Sequence, residues 1–251
     1  MTAPAAFKDH FSRKADDYTR YRPTYPPQLF SWLAGLVTTH DLAWDCGCGN
    51  GQASCDLAMH FNRVIATDPS KSQVDNAMPC DNVRYAVASA EDSGIGDTCI
   101  DLVLVAQALH WFDFDRFYAE VRRVARPGGV LAAVSYGEVR VEGPPCEVVS
   151  RFYHETIARF WPPERHHVDQ GYATIPFPFD RISAPSFAME AIWSFERFLG
   201  YLGTWSAIGE YKRLHGVDPL ELLAPELTAA WGDPRQERTI TWPLTVLAGQ
   251  L

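Results

Sequence analysis

A doubly wound α/β fold around a parallel sheet is predicted from three features of these 251 residues. Strand-length apolar runs alternate with stretches of helical spacing, a glycine-rich turn follows the first run, and acidic or polar residues close the strands. Strands separated by helices run parallel, and ligands of such sheets gather outside the carboxyl ends of the strands. With 47% hydrophobic residues, the chain can bury a sizeable core as one domain, 1–251.

The first element ends in the most informative segment. Residues 43–51 read Ala-Trp-Asp-Cys-Gly-Cys-Gly-Asn-Gly. Asp45 closes a short apolar stretch, and Gly47, Gly49 and Gly51 follow at alternating positions. A helix over 52–61 comes next, so the unit is strand, glycine loop, helix, with backbone N–H groups directed at whatever the loop cradles. The spacing is neither Gly-x-Gly-x-x-Gly nor that of a phosphate loop. An acid just before the first glycine suits a ligand with a cationic group.

A second strand, 63–67, runs into Asp68, 23 residues past Asp45. An acid at that place holds ribose hydroxyls in nucleoside-binding α/β folds. The same Asp68-Pro69-Ser70 segment reads equally as a helix cap, and Ser70 can take the cap while Asp68 binds. The third strand is 83–88, followed by Ala90 and Glu91. The fourth, 99–106, is a nearly continuous apolar run, as expected of a central strand buried on both faces. Gln107 follows it. Apolar residues at helical spacing predict a helix over 114–125, ended by a basic turn and Pro127-Gly128-Gly129. Strand five is 130–135.

The rhythm then breaks. Residues 138–185 scatter prolines among Phe152, Tyr153, Phe160, Trp161, Tyr172, Phe177 and Phe179, around a short helix over 146–160. This insertion is expected to cap the mouth of the site and to line an apolar pocket. A strand over 186–194, helices over 195–215 and Pro219–Trp231, and a last strand over 238–248 complete the chain.

Several classes are excluded. Twenty-two basic against 31 acidic residues give a formal charge of −9, which argues against a nucleic-acid partner. No apolar run reaches the ~20 residues of a membrane span, no signal-peptide profile is present, and the cytoplasm is the default location. The six cysteines form no Cys-x-x-Cys pair, and Cys46, Cys48 and Cys55 read as small residues filling a crowded strand end; no metal site is expected.

Asp-x-Gly-x-Gly-x-Gly resembles the first motif of class I S-adenosylmethionine-dependent methyltransferases. Ala90-Glu91-Asp92 resembles that family's adenine segment. Gln107-Ala-Leu-His-Trp-Phe-Asp113 and the amino-terminal Tyr21-Arg22-Pro23-Thr-Tyr25-Pro26 resemble one branch of it, which includes trans-aconitate methyltransferases. The resemblance implies a seven-stranded Rossmann-like sheet with its last strand antiparallel, an amino-terminal lid over residues 1–30, and S-adenosyl-L-methionine as cofactor. It further implies cofactor contacts at Tyr21, Arg22, Asp45, Cys46, Gly47, Gly49, Asp68, Pro69, Ala90, Glu91 and Gln107.

The acceptor is expected to be a small molecule methylated on a carboxylate or hydroxyl oxygen, held near Tyr25, His110, Trp111, Tyr153 and Trp161. A carboxylate needs no general base; for a hydroxyl, His110 is the candidate, though it reads equally as a residue that orients its loop. Arg140, Arg151, Arg159 and Arg165 leave a flexible polyacid open as acceptor. A non-catalytic nucleoside-binding protein, an NAD-dependent oxidoreductase and an RNA methyltransferase are the competing readings, and the chain is expected to be a monomer or homodimer.

Overall fold

The computed structural model describes residues 23–251. Pro27–Ala34 forms α1, started by proline in the first helical turn. Then come β1 (Leu42–Cys46), α2 (Gln52–Ala58), β2 (Arg63–Asp68), α3 (Lys71–Asp75), β3 (Val83–Val87), β4 (Ile100–Ala106), α4 (Phe114–Val124) and β5 (Ala125–Tyr136). Strands β3-β2-β1-β4-β5 lie side by side and parallel. The order reverses direction beside β1, between β1 and β4, which is where ligands of such sheets sit.

β9 (Arg238–Gln250) runs antiparallel to β5, pairing Val130 with Gln250 through to Tyr136 with Leu244. The expected seven strands are all present, and among the described residues the sheet has nine. The additional two, β6 (Arg140–Val141) and β7 (Asp180–Ile182), are short pieces of the 138–185 insertion that pair with β9. β8 (Phe187–Trp193) joins β7 along the other edge of β9. A strand of 13 residues is long enough to serve β5 and then β6 on one edge, and β7 and β8 on the other.

Alternation along the central strands builds a core on each face. Trp44, Val103, Val105, Leu131 and Ala133 pack with Phe117 and Val121 of α4. Ala43, Leu102, Leu104, Ala132 and Val134 pack with Leu29 and Leu33 of α1 and Leu57 of α2. Below the sheet, the buried Asp101 carboxylate accepts from Thr39 Oγ1 (2.6 Å), the Asp41 and Leu42 N–H groups (2.8 and 2.9 Å) and Arg126 Nη1 (2.8 Å). It pins the start of β1 to β4.

A third core is largely aromatic. Trp193, Tyr201, Trp205, Trp231 and Trp242 join Phe152, Tyr153 and Phe160 of the insertion, and Trp242 Nε1 donates to Tyr201 Oη at 2.8 Å. Two expected helices here are broken. The 195–215 stretch divides into α7 (Phe195–Gly203) and α8 (Ser206–His215), because the Thr204 hydroxyl returns to the Tyr201 carbonyl at 2.7 Å and closes the first helix. The 146–160 helix is α5 (Pro145–Arg151), continued by a wide turn over Phe152–Thr156 and a tight one over Ala158–Phe160. α9 spans Pro219–Trp231 as expected. Cys55, read from the sequence as a small residue filling a crowded strand end, forms a disulfide with Cys80. It ties α2 to the loop before β3.

Candidate active site

The glycine loop leaves β1 with Gly47, Gly49 and Gly51 at φ of 73°, 55° and 84°. Two of these positions exclude any side chain on space as well. A Cβ on Gly47 would lie 2.6 Å from Ala108 Cβ, and one on Gly51 2.3 Å from the Tyr85 hydroxyl. The Gly47 and Cys48 N–H groups donate to the Thr67 carbonyl at 2.8 and 3.0 Å, which folds the loop back on β2. Gln52 Nε2 donates to the Pro23 carbonyl at 2.8 Å, so the end of the amino-terminal segment rests on this loop.

Asp45 sits fully buried at the loop's base. Its Oδ2 accepts from Ser54 Oγ at 2.6 Å, while Oδ1 has no hydrogen-bond partner. Burial pushes the carboxyl up to about 7; the Ser54 bond opposes this and the charge of Asp68 adds to it. An orphaned, buried carboxylate oxygen is costly unless a donor or cation reaches it. The neighbouring Cys46 thiol is buried too, and burial pushes it up.

Asp68, at the end of β2, accepts from the Gly49 N–H at 2.9 Å and the Ser70 N–H at 2.8 Å. Ser70 caps α3 through Gln73, leaving Pro69 between the two roles. The carboxylate therefore locks the glycine loop to the second strand. Ala90 is buried after β3. Glu91 next to it accepts the Asp113 N–H at 3.1 Å, joining the loops that follow β3 and β4.

Gln107 stands at the end of β4 with φ of 57°, a left-handed conformation unusual outside glycine and a mark of functional loops. Its side-chain amide makes paired bonds with the Tyr136 backbone, Nε2 to the carbonyl at 3.0 Å and Oε1 from the N–H at 3.2 Å. The amide is thus committed to holding the ends of β4 and β5 together, and the Gln107 backbone is what faces the loops.

The turn Leu109–Trp111 follows. His110 is buried, its Nδ1 is 3.2 Å from the Tyr172 hydroxyl, and its ring lies 4.9 Å from that of Trp111. Tyr172 itself is left-handed at φ of 58°. Burial, helped by the charges of Arg165 and His167, pushes His110 down to about 3. Its contacts with Tyr172 and Trp111 tie the turn to the insertion, and burial disfavours a proton on the ring.

Over this turn lies α6 (Arg165–Asp169) of the insertion. Tyr153 and Trp161 come together here, with ring centroids 5.3 Å apart and each 5.6 Å from Trp205. With Arg165, His166 and Asp169 they line a cavity of about 260 Å³. Tyr25, half-buried, packs against the same aromatic core. Tyr21 and Arg22 lie outside the described residues, as does most of the 1–30 lid. A larger cavity, about 420 Å³ and lined by Thr98, Arg126 and Gln250, is at the opposite end of β4 and β5, away from all these groups.

A family profile described as a methyltransferase domain matches residues 44–133, from β1 through β5. A candidate methyltransferase of Dictyostelium discoideum is 34% identical over 239 residues, 92% of this chain and 89% of that one. The chain belongs to the class I S-adenosylmethionine-dependent methyltransferases. A solved structure from Anaeromyxobacter dehalogenans, described as a candidate type II methyltransferase, superposes with a TM-score of 0.87 at 51% identity, covering 92% of this chain and 98% of its own. An uncharacterised methyltransferase of Mycobacterium tuberculosis is 37% identical over 127 residues, 49% of this chain and 51% of that one. The cofactor of this methyltransferase is S-adenosylmethionine. The residues fit it: the orphaned Asp45 oxygen lies beside a loop whose glycines leave backbone alone to meet the ligand.

Among the described residues no helix is long and apolar enough to cross a membrane. Sequence reasoning named Tyr172 only as one of the insertion's aromatics and Gln107 only as a cofactor contact, and foresaw neither the bond to His110 nor the paired bonds to Tyr136. A tyrosine 62 residues from His110 leaves no local signal of their bond.

Proposed function

We propose that this methyltransferase transfers a methyl group to an oxygen of a small-molecule acceptor, with a carboxylate the best fit. The supporting observation is the cavity of about 260 Å³ walled by Tyr153 and Trp161 on the insertion and lined also by Arg165 and Asp169, the ends of the helix α6 that packs on the Leu109–Trp111 turn. A small aromatic-walled chamber suits the apolar body of such a molecule, whose burial contributes ~25 cal/mol per Å². His110 is too weak a base to remove a hydroxyl proton. A carboxylate attacks without losing one.

In this reading Asp45, Cys46, Gly47 and Gly49 hold the amino-acid end of the cofactor. Asp68 and Pro69 hold the ribose, and Ala90, Glu91 and the Gln107 backbone hold the adenine and close the site. Tyr21 and Arg22, outside the described residues, would contact the cofactor as the family resemblance implies, and Tyr25, His110 and Trp111 would face the acceptor. Bound S-adenosylmethionine supplies an electrophilic methyl carbon. What the protein adds is alignment of the attacking oxygen opposite the sulfonium and exclusion of water by the insertion. With that group bound, an oxygen–carbon bond would form as the carbon–sulfur bond broke, its electron pair leaving on sulfur.

A methyl-transfer screen over aromatic acids, phenols, aliphatic di- and tricarboxylates and short RNA tests the assignment. Turnover of aromatic acids is expected. Turnover confined to tricarboxylates would contradict the apolar acceptor, and turnover confined to RNA would overturn the small-molecule reading.

A further inference from the structure

We propose that the acceptor is an anion anchored by its carboxylate on the guanidinium of Arg165, in the cavity between Trp161 and Tyr153; this rests on the small-molecule reading above. Four arginines of the insertion were equal candidates in sequence. Three are set apart by the structure. Arg140 and Arg159 are exposed, and Arg151 is paired with Glu226.

Arg165 differs in every respect. Only 17% of its side-chain surface is exposed. Its guanidinium lies 4.7 Å from the centre of the Trp161 ring and 5.8 Å from that of Tyr153. Nε donates to the Tyr153 hydroxyl at 3.0 Å and to Asp169 Oδ1 at 3.1 Å, and the Tyr153 hydroxyl donates to the same Asp169 oxygen at 2.7 Å. These bonds use one edge of the group and fix its plane. None of the described residues accepts from Nη1 or Nη2.

A held guanidinium with a free pair of N–H donors matches a carboxylate, which takes two parallel bonds from such a fork. A second donor adjoins it. Trp161 Nε1 is buried and has no hydrogen-bond partner, an arrangement costly to leave unmet. Both residues line the cavity, together with His154, His166 and Asp169 as the other titratable groups. Of these, Asp169 is already bonded to Arg165, and His154 to Glu138.

Position agrees with chemistry. The helix that carries Arg165 packs on the Leu109–Trp111 turn at the end of β4, and the arginine's charge reaches His110 strongly enough to help depress it. The helix that carries the anchor is therefore in contact with the turn that the proposed function puts against the acceptor. At about 260 Å³ the chamber is smaller than the roughly 300–1,000 Å³ of drug-sized ligand sites, so a compact acid is the expected occupant.

Titration calorimetry on protein saturated with S-adenosylhomocysteine tests this, using phenylacetate and 3-phenylpropionate against their amides. The acids are expected to bind at least tenfold tighter than the amides. In Arg165→Met that preference should vanish, with amide and S-adenosylhomocysteine affinities unchanged; Arg165→Lys should restore part of it. Should Arg165→Met fail to fold, Trp161→Phe removes the indole donor alone and is expected to weaken acid binding several-fold. Equal binding of acid and amide, no binding of either acid, or an acid preference that survives in Arg165→Met would overturn the assignment. If the wild-type chain does not bind S-adenosylhomocysteine, the methyl-transfer reading fails first; if it binds and the acid preference is absent, only the Arg165 anchor fails.

Discussion

Asp45 is the residue where structure and chemistry meet most sharply, because its buried Oδ1 has no donor and its carboxyl is held up to about 7. A group whose folded pKa is raised from 3.8 binds its proton more tightly when folded. The ligand-free protein therefore loses stability as pH rises from about 4 through about 7, when folding must bury an increasingly ionised carboxylate. A cationic ligand reverses the sign, since it pairs only with the ionised form. Affinity for S-adenosylhomocysteine is expected to rise between pH 5.5 and pH 7.5, through the Asp45 value of about 7. The rise should flatten in Asp45→Asn, and calorimetry across that range reads both. A flat wild-type profile would separate Asp45 from the ligand's cation.

At the scale of elements, the strands were legible because continuous apolar runs have one stable place, the middle of a parallel sheet. Their carboxyl-terminal loops were legible because Gly47 and Gly51 have no tolerable substitute. The insertion was not. Its aromatic residues announce burial without saying against what, and the wide turn at Phe152–Thr156 interrupts a helix whose apolar spacing runs on. The same is true of Thr204, where one side-chain bond ends a helix that periodicity would continue. Four insertion arginines carry equal charge in sequence, and only packing against Trp161 distinguishes Arg165.

The Cys55–Cys80 disulfide was equally hidden, since the partners are 25 residues apart and no motif links them. Closing a loop of that length constrains the unfolded chain by about 3 kcal/mol. Reductant is expected to lower Tm by on the order of 6–12 °C for a chain of this size. Thiol titration of the unfolded, unreduced protein should find the free cysteines Cys46, Cys48, Cys99 and Cys146 alone. Six reactive thiols and an unchanged Tm would show that the pair does not form.

Across the whole molecule, the parallel half of the sheet gathers Asp45, Asp68, Glu91 and Gln107 at one end, and β9 braces the insertion that carries Tyr153, Trp161 and Arg165 over that end. Net acidic charge and a wall of aromatic rings are the features on which the proposed small-molecule acceptor rests. Asp68 ties the glycine loop to the second strand, and the proposed function gives it the ribose of the cofactor. Calorimetric titration of S-adenosylhomocysteine into the wild-type chain and Asp68→Ala tests this directly. One site per chain is expected in the wild type, and a loss of about 2–3 kcal/mol, roughly 30–150-fold, in the variant. Wild-type affinity in Asp68→Ala, or tighter binding of NAD than of S-adenosylhomocysteine by the wild-type chain, would contradict it.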